Sequence, residues 1–431
     1  MSNVVHVSLS DVKGFNDLIY DDNNISSSIL KLNKLECRTE NNQQYKIITY
    51  DKQILNYDLV DTYGLCRSVI VNSENNVVSF APPKSLQADT FLKLYPVKTD
   101  AIVAEAFIEG TMINVFFDPT IGITGGWEIS TRNIVGATCG FYKNGNNANN
   151  ANNADHANNN TLRKTFRTMF LEAASACGLL LENLNKNLCY SFVLQHPDNR
   201  IVVPVKNPML YLVAIYCIDN TDKTNIKVYY QDMEEVKKCY WGDTTIQFPE
   251  IYECDDYYKL IDTYASMNTS YDKMGLVLYN KSTGHRTKIR NPVYEEVRQL
   301  RGNQTKIQYQ YLSLRKDGKV NEFLKYFPEN KKELSLFRDQ LHLFTSTLYE
   351  NYVSCYIKKE KPLKEFAPQY RTHMFYIHQK YITEMKEKKL HTKYKDVIEY
   401  VNTLEVKLLM HSLNYNIKKH DDDVTQSANI V

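Results

Sequence analysis

The sequence lacks several features that would place it in a common class of protein. It has no run of about 18 apolar residues, the length that a helix needs to cross a bilayer. Its first residues do not show a basic segment followed by an apolar one, which is the pattern of a secretory signal peptide. We therefore expect an intracellular protein that makes no contact with membranes.

Signatures of three large enzyme classes are also missing. The chain contains no GxxxxGK[ST] phosphate-binding loop, no HExxH zinc-binding helix and no GxSxG nucleophile turn. Nine cysteines are present, an odd number, and no two of them form a CxxC pair. This usage predicts reduced, buried thiols and no metal site.

Charge is distributed unevenly along the chain, although the formal net charge is only +2. Residues 296–420 contain 24 Lys and Arg against 14 Asp and Glu, a net charge of +10, and the remaining residues contain 28 against 36, a net charge of −8. A basic third of this kind attracts phosphate backbones. The alternative is a solvated helical surface that is merely rich in lysine.

The pattern of apolar residues changes near residue 291, and the length of 431 residues itself favours two domains. Short alternating runs with polar turns predict strands before this point, and helical spacing predicts helices after it. The fold class that we predict is α+β, with a domain of antiparallel sheets and an all-helical domain. The predicted parts are the sheet domain 1–295, a flexible Asn-rich loop 144–160 within it, the basic helical domain 296–420 and a flexible tail 421–431.

Four stretches predict pairs of strands joined by short turns. A further run, residues 208–218, predicts a buried strand, and helical spacing from Phe166 to Ala173 predicts a helix. The four predicted pairs are residues 66–83, 104–118 with a turn at Glu109 and Gly110, 189–204, and 271–290.

Five phrases follow one another in these stretches: LCRSVIV, FIEGTMINVFFD, WEISTRNIVGA, YSFVLQHPDNRIVV and MGLVLYNKSTGHRTKIR. Their order and spacing resemble the adenylyltransferase domain of RNA ligases of the bacteriophage T4 RNA ligase 1 type. The resemblance covers about residues 60–295, and similar phrases occur in proteins of large DNA viruses. It implies a ligase-type nucleotidyltransferase domain followed by a helical domain that helps to bind RNA.

The resemblance also implies a reaction. In that family a lysine nitrogen attacks the α-phosphorus of ATP, and the AMP passes to an RNA 5′-phosphate before a 3′-hydroxyl displaces it. Carboxylates on neighbouring strands hold a divalent metal or the ribose. The implied cofactors are ATP and Mg²⁺, the implied partners are a nucleotide and RNA, including tRNA or RNA ends, and the implied location is the host cytoplasm or a virus factory.

The chain departs from the family pattern at the groups that perform this chemistry. Where the family has K-x-D-G followed by Ser or Thr, the aligned stretch is Phe107-Ile108-Glu109-Gly110-Thr111, so Phe107 replaces the nucleophile. No lysine lies between Lys98 and Lys143. Ser191 and Met274 replace two family glutamates. We expect no metal ligands among these positions.

Cationic positions of the family are retained. Lys288 and Arg290 alternate on a predicted strand, so their side chains point to one face. The residues that the resemblance assigns to nucleotide or phosphate binding are Arg67, Lys84, Glu109, Gly110, Arg132, Lys288 and Arg290.

Three hypotheses follow from this selective loss. The first is a catalytically degenerate relative of RNA ligase that binds a nucleotide or RNA. The second is an active ATP-dependent RNA ligase or nucleotidyltransferase with a relocated lysine, for which Lys84 is the first candidate and Lys288 the other. The third is a structural or virion-associated protein that keeps only the fold.

Overall fold

A computed structural model describes residues 6–20, 31–140, 164–239, 241–304 and 306–416. The predicted Asn-rich loop 144–160 and the predicted tail 421–431 lie outside these residues. The described chain divides into two compact units, the first ending at Gln299 and the second beginning at Leu300.

The strands of the first unit form three sheets in which neighbouring strands are antiparallel. The strands are β1 (His6–Ser8), β2 (Leu32–Arg38), β3 (Gln44–Tyr50), β4 (Val69–Val71), β5 (Val77–Phe80), β6 (Ile102–Ala106), β7 (Thr111–Asp118), β8 (Gly126–Ser130), β9 (Leu188–Gln195), β10 (Met209–Asp219), β11 (Lys227–Tyr230), β12 (Gly275–Asn280) and β13 (Arg286–Arg290). The sheet orders are β1-β11-β10-β9-β7-β8, β2-β3-β4-β5 and β13-β12-β6.

Helices cover two of these sheets. The helices are α1 (Phe15–Tyr20), α2 (Ala88–Leu94), α3 (Phe166–Ala176), α4 (Met233–Lys238), α5 (Tyr257–Tyr264) and α6 (Pro292–Arg301), which continues into the second unit. Helix α3 buries Phe170 against Phe192 of the six-stranded sheet, with ring centroids 6.0 Å apart. Helices α2 and α5 bury Phe91 and Leu260 against the three-stranded sheet. Apolar residues of the four-stranded sheet pack against the opposite face of the six-stranded one.

The second unit is helical throughout its described residues. Its helices after α6 are α7 (Ile307–Lys316), α8 (Val320–Tyr326), α9 (Lys331–Tyr352), α10 (Pro368–Lys380), α11 (Tyr394–Thr403) and α12 (Val406–Leu413). Helices α9 and α10 each continue into a π-helical turn, at Val353–Ile357 and Tyr381–Met385. The predicted α+β class, with antiparallel sheets followed by a helical C-terminal part, is confirmed.

Two predicted hairpins are confirmed, and local turn chemistry explains them. Strands β4 and β5 pair around a turn in which the Asn72 side chain accepts hydrogen bonds from the backbone N–H groups of Glu74 and Asn76. Strands β12 and β13 pair around residues 281–285. The buried strand at 208–218 and the helix from Phe166 are also present, as β10 and α3.

The predicted hairpin at residues 104–118 is wrong. Strand β6 pairs with β12, whereas β7 pairs with β8 and β9, so Phe107–Gly110 connects two different sheets. Alternating side chains are expected in both arrangements, which is why the pattern did not distinguish them. The strand predicted after His196 is also absent, since residues 200–203 form no ladder. The chain therefore crosses between sheets at Phe107–Gly110, the stretch that the resemblance aligns with the family's lysine motif.

Candidate functional site

The three-stranded sheet has one apolar and one polar face. Ala104, Leu276 and Leu278 belong to the apolar core that α2 and α5 cover. Across the other face, Lys288 pairs in register with Val277, which pairs with Glu105. Residues that pair directly across neighbouring strands point to the same side of the sheet. Residues two positions before or after them on each strand also point to that side. The polar face therefore carries Glu105 on β6 and Arg286, Lys288 and Arg290 on β13.

Phe107 continues the same face just beyond the end of β6. Its backbone N–H donates to the Gly275 carbonyl at 3.0 Å, which extends the pairing with β12 by one residue. The Lys288 Nζ lies 4.8 Å from the centre of the Phe107 ring, and the Arg290 Cζ lies 5.7 Å from it. The ring at the aligned lysine position is thus in contact with both cations of the last motif.

Five cationic side chains influence one another at this face. Burial lowers the pKa of Lys288 to about 6, and the positive charges of Arg286, Arg67, Arg290 and Lys84 add to the effect. Burial also lowers the pKa of Arg67 to about 10, with Arg286 as the leading charge. At pH 7 the Lys288 amine is therefore mostly neutral, because it is buried and lies near four guanidinium or ammonium groups.

Most of these charges have no acidic partner. Among the residues that the structure describes, no carboxylate lies within 4.0 Å of the side-chain nitrogens of Arg67, Lys84, Arg286 or Lys288. The Nε of Arg286 is buried without a hydrogen-bond partner. Arg290 differs, because it forms an ion pair with Glu295. Such a group of neighbouring cations, in which Arg67 and Lys288 are largely buried and Lys84 and Arg290 are exposed, provides the electrostatic conditions for binding an anion. We call Arg67, Lys84, Arg286, Lys288 and Arg290 the cation cluster.

Backbone contacts bring separate segments to this cluster. The Leu86 N–H donates to the Arg286 carbonyl at 2.8 Å, and the Thr287 hydroxyl donates to the Leu86 carbonyl at 2.9 Å. These bonds hold the segment that contains the exposed Lys84 beside β13. Arg132 approaches from the end of β8, where its Nε donates to the Arg67 carbonyl at 3.2 Å. Its guanidinium lies 4.8 Å above the Tyr50 ring.

Glu109 is occupied by the backbone of the following loop. Its buried carboxylate accepts hydrogen bonds from the Val202 and Val203 N–H groups at 3.2 and 3.1 Å, and it is also hydrogen-bonded to Tyr294. Burial raises the pKa of Glu109, and these hydrogen bonds oppose the change. The geometry therefore gives Glu109 a role in positioning the connection between the sheets.

Gly110 makes that connection sterically feasible. Its φ is +151°, and a Cβ at this position would lie 2.4 Å from the Leu194 carbonyl oxygen and 2.6 Å from a methyl carbon of Val193. No side chain fits in that space, so glycine is required where the chain crosses over β9.

The positions of the two replaced glutamates carry no acid. Ser191 is fully buried, and its hydroxyl donates to the Asn114 Oδ1 at 2.8 Å. The Nδ2 of Asn114 and the Oγ of Ser130 are buried without hydrogen-bond partners. Buried polar atoms normally have a protein, water or ligand partner, so these two atoms can each form a further hydrogen bond. Met274 contributes only its carbonyl, which accepts from the Asn291 N–H at 3.0 Å.

The donor set does not fit a dedicated magnesium site. Within the described part of the chain, no group of three or more His, Cys, Asp or Glu side chains is arranged to hold a metal ion. Magnesium prefers oxygen ligands in octahedral geometry, and it commonly uses one or two carboxylates together with substrate phosphates. The polar face offers one carboxylate, Glu105.

Two functional candidates were not predicted from the sequence. Arg286 stands two residues before Lys288, so the alternation that identified Lys288 and Arg290 also pointed to it. Glu105 stands two residues before Phe107, and its burial raises its pKa to about 7, opposed by the charges of Arg286 and Lys237. No motif indicated Glu105, because its environment depends on β12 and β13.

No helix among the described residues is both long and apolar enough to cross a membrane.

Comparison with known proteins supports a likeness to RNA ligases. No protein-family model matches the sequence. The chain is 23% identical to an RNA ligase of Rhodothermus phage RM378 over an alignment of 304 residues, and the match covers 63% of this chain and 64% of that ligase. The chain thus spans somewhat less than two thirds of this relative.

Solved RNA ligases also show a distant likeness in structure. An archaeal ATP-dependent RNA ligase is 10% identical to this chain, with a TM-score of 0.36. The match covers 93% of this chain and 78% of the archaeal ligase. An alanine-substituted RNA ligase of Naegleria gruberi, with ATP and Mn, is 14% identical to this chain, with a TM-score of 0.34. The match covers 61% of this chain and 76% of the Naegleria chain.

Proposed function

We propose that this chain is a catalytically degenerate relative of RNA ligases that binds the phosphates of a nucleotide or of RNA at the cation cluster. One observation carries the proposal: the Phe107 ring lies 4.8 Å from the Lys288 amine at the position that aligns with the family nucleophile. A phenyl ring cannot attack phosphorus, whereas the surrounding cations remain in place to hold a phosphate.

Electrostatics support an anionic ligand. Four members of the cation cluster have no carboxylate within 4.0 Å among the described residues, so their mutual repulsion is offset only in part, by the interaction of Arg286 with Glu105. A bound phosphate would offset it, and Lys288 would then gain a proton because a nearby negative charge favours the ammonium form. We therefore expect phosphate binding to take up protons at neutral pH.

A metal ion is dispensable in this proposal. In phosphoryl-transfer sites, metals and cationic side chains share the task of offsetting phosphate charge. Here Ser191 and Met274 supply no carboxylate at the two replaced positions, and the cluster supplies four cations and the Lys288 amine, which is protonated when an anion binds. Any divalent ion would arrive with the phosphates of its nucleotide, with Glu105 as the acid on the polar face.

The main alternative is an active ATP-dependent RNA ligase whose nucleophilic lysine has moved. The geometry favours Lys288 over Lys84, because Lys84 is exposed whereas the pKa of Lys288 is lowered to about 6. A neutral amine is nucleophilic at pH 7. Its nitrogen would form a bond to the α-phosphorus of ATP as pyrophosphate leaves, and the amine would release a proton.

A third alternative is a structural or virion-associated protein that keeps only the fold. This function would be favoured if the chain binds neither ATP nor RNA.

Intact mass spectrometry after incubation with ATP and Mg²⁺ or Mn²⁺ separates the first two functions. The proposal predicts no added AMP, with a known RNA ligase modified in parallel as a positive control. A stable adduct that maps to Lys288 and disappears in Lys288→Met would instead establish an adenylating enzyme.

Calorimetric titration with pyrophosphate, in EDTA and again with Mg²⁺, tests binding directly. Arg67→Ala and Lys288→Ala should each weaken binding about tenfold or more, as expected for a charged partner. Lys259→Ala, which removes an exposed lysine on α5, should leave the affinity unchanged. Equal affinity in all four proteins would exclude the cation cluster as the site.

Two broader parts of the proposal concern organisation and setting. We propose that residues 1–295 and 296–420 are separate domains, with the second contributing to RNA binding through its net charge of +10. We also propose a viral protein that acts in the host cytoplasm or a virus factory.

A further inference from the structure

Two helices of the second unit end in the same unusual way. Helices α9 and α10 run directly into the π-helical turns Val353–Ile357 and Tyr381–Met385. A lysine with positive φ follows each turn, Lys359 at +58° and Lys389 at +55°. Single π-helical turns inside or at the end of α-helices are rare and occur frequently at functional sites.

The two lysines stand where glycine would be the ordinary choice. The left-handed conformation after a helix is unfavourable for a residue with a Cβ, and glycine adopts it at no steric cost. The chain nevertheless places a charged side chain at both positions, and both side chains are exposed. This repetition indicates that the charge itself has a use.

Aromatic rings stack between the two turns. The rings of Tyr356 and His378 lie 3.8 Å apart with an interplanar angle of 15°. The rings of His378 and Tyr381 are also near parallel, at 5.8 Å and 22°. The Tyr352 hydroxyl lies 3.5 Å from the Nδ1 of His378. The stack is therefore built from the ends of α9 and α10 together.

The sequence that contains and follows these rings is strongly basic. Residues 358–395 contain eleven Lys and Arg against four Asp and Glu, a net charge of +7. Lys386 follows the second π-helical turn, and burial together with its charge lowers the pKa of His378. Lys358 pairs with Glu360 at 3.6 Å. Among the described residues, by contrast, Lys359, Lys386 and Lys389 have no carboxylate within 4.0 Å.

We propose that Tyr356, His378, Tyr381, Lys359, Lys386 and Lys389, which we call the aromatic–lysine platform, bind single-stranded RNA by stacking unpaired bases and contacting phosphates. Half-buried stacked rings beside free lysines are the combination that single-stranded nucleic acids require, because each base has an aromatic face and each nucleotide a negative charge. The proposal rests on the proposed function only for the choice of RNA as the nucleic acid. An anionic membrane surface would use the lysines but not the stacked ring faces.

Fluorescence anisotropy of the full chain with a labelled 5′-hydroxyl oligoribonucleotide tests the platform without involving a terminal phosphate. The double variant Lys359→Gly, Lys389→Gly should bind about tenfold more weakly at low salt, and its salt slope should fall by about 1.4, which is 0.7 per lost phosphate contact on a single strand. Its melting temperature should hold or rise, since glycine relieves the positive φ.

Two further variants separate stacking from general charge. Tyr356→Leu should weaken binding about tenfold with little change in salt slope, because stacking is not ionic. The double variant Lys331→Ala, Lys332→Ala removes the same charge from the exposed start of α9 and should change the affinity less than twofold. Asn42→Gly also replaces a residue with positive φ, +65°, but in the first unit. It is the control for the effect of relieving a positive φ on the melting temperature.

The outcomes distinguish this inference from the proposed function. Unchanged affinity and salt slope in the Lys359→Gly, Lys389→Gly protein would overturn the platform, as would a platform-dependent binding to anionic vesicles that exceeds binding to the oligonucleotide. Pyrophosphate binding should be identical in the platform variants and the parent. If the parent protein does not bind pyrophosphate but its oligonucleotide binding depends on the platform, the cation cluster is rejected as a site. The platform is then still supported.

Discussion

The amine nitrogen of Lys288 lies 4.8 Å from the centre of the Phe107 ring, within a group of cations that lowers its pKa to about 6. This contact is therefore different above and below pH 6. A neutral amine gains little from an aromatic face, whereas an ammonium group is attracted to it. Arg290 contacts the same ring at 5.7 Å and stays charged throughout.

Replacing Phe107→Leu removes both contacts but keeps an apolar side chain. We expect the free energy of unfolding to fall by about 0.5–1 kcal/mol more at pH 5 than at pH 8, because Lys288 is an ammonium group only at the lower pH. Urea unfolding at both values measures this difference. Phe375→Leu, which changes an exposed ring on α10, provides the control, and an equal loss at both pH values would mean that Phe107 contributes packing alone.

Lys288→Met should stabilise the protein when no anion is bound. The unfolded chain binds a proton at this lysine below its ordinary pKa of 10.5, and the folded chain does so only below about 6. The folded state is thus penalised as the pH falls from about 10 to 6, and its stability rises with pH over that range. We expect Lys288→Met to add about 1–3 kcal/mol at pH 7 and to flatten this dependence. Thermal unfolding from pH 6 to 10 tests it, with Lys259→Met as the exposed control.

Glu105 should show the opposite dependence on pH. Burial raises its pKa to about 7, so the folded chain holds a proton there between about pH 4.5 and 7 that the unfolded chain has lost. The stability due to this group is present below pH 4.5 and declines as the pH rises through 7. We expect Glu105→Gln to stabilise the protein by about 1–2 kcal/mol at pH 8 and not at pH 4. A gain at both values, or a similar gain for the exposed Glu253→Gln, would argue against a buried acid.

Gly110→Ala tests the crossover between the sheets. The added methyl group would lie 2.4 Å from the Leu194 carbonyl oxygen, so the backbone of β9 must shift. We expect a loss of more than about 3 kcal/mol in the free energy of unfolding. Gly122→Ala is a matched control, because Gly122 also has a positive φ, +60°, but a Cβ there meets no atom within 4 Å. Its expected cost is about 1 kcal/mol, and equal costs would mean that backbone conformation, rather than the close approach to β9, limits Gly110.

Local features of the fold were predictable because their causes are local. The turn after β4 depends on Asn72 and its own neighbouring N–H groups, and the strand β13 displays its charges by simple alternation. The crossover at Phe107–Gly110 was not predictable in the same way. Strands that pair with each other and strands that pair elsewhere show the same alternation, so only their partners decide the topology.

The candidate site was predictable in part for the same reason. The resemblance identified Arg67, Lys84, Lys288 and Arg290, and the structure brings them together with Arg286. Glu109 shares their motif, yet its carboxylate is bound to the backbone of residues 202 and 203. A motif assigns residue types to positions, but it does not reveal which hydrogen bonds a side chain has already made.

The sequence by itself determined the residue types at the candidate site: Phe107, Ser191 and Met274 at positions that the resemblance aligns with a lysine and two glutamates, and a set of cationic residues. Only the tertiary structure decided the state of those groups. The pKa of Lys288 falls because packing desolvates its amine and because separate segments place Arg67 and Lys84 near it. Burial and the distances between charges arise from the packing of segments far apart in the chain, and no local pattern encodes them.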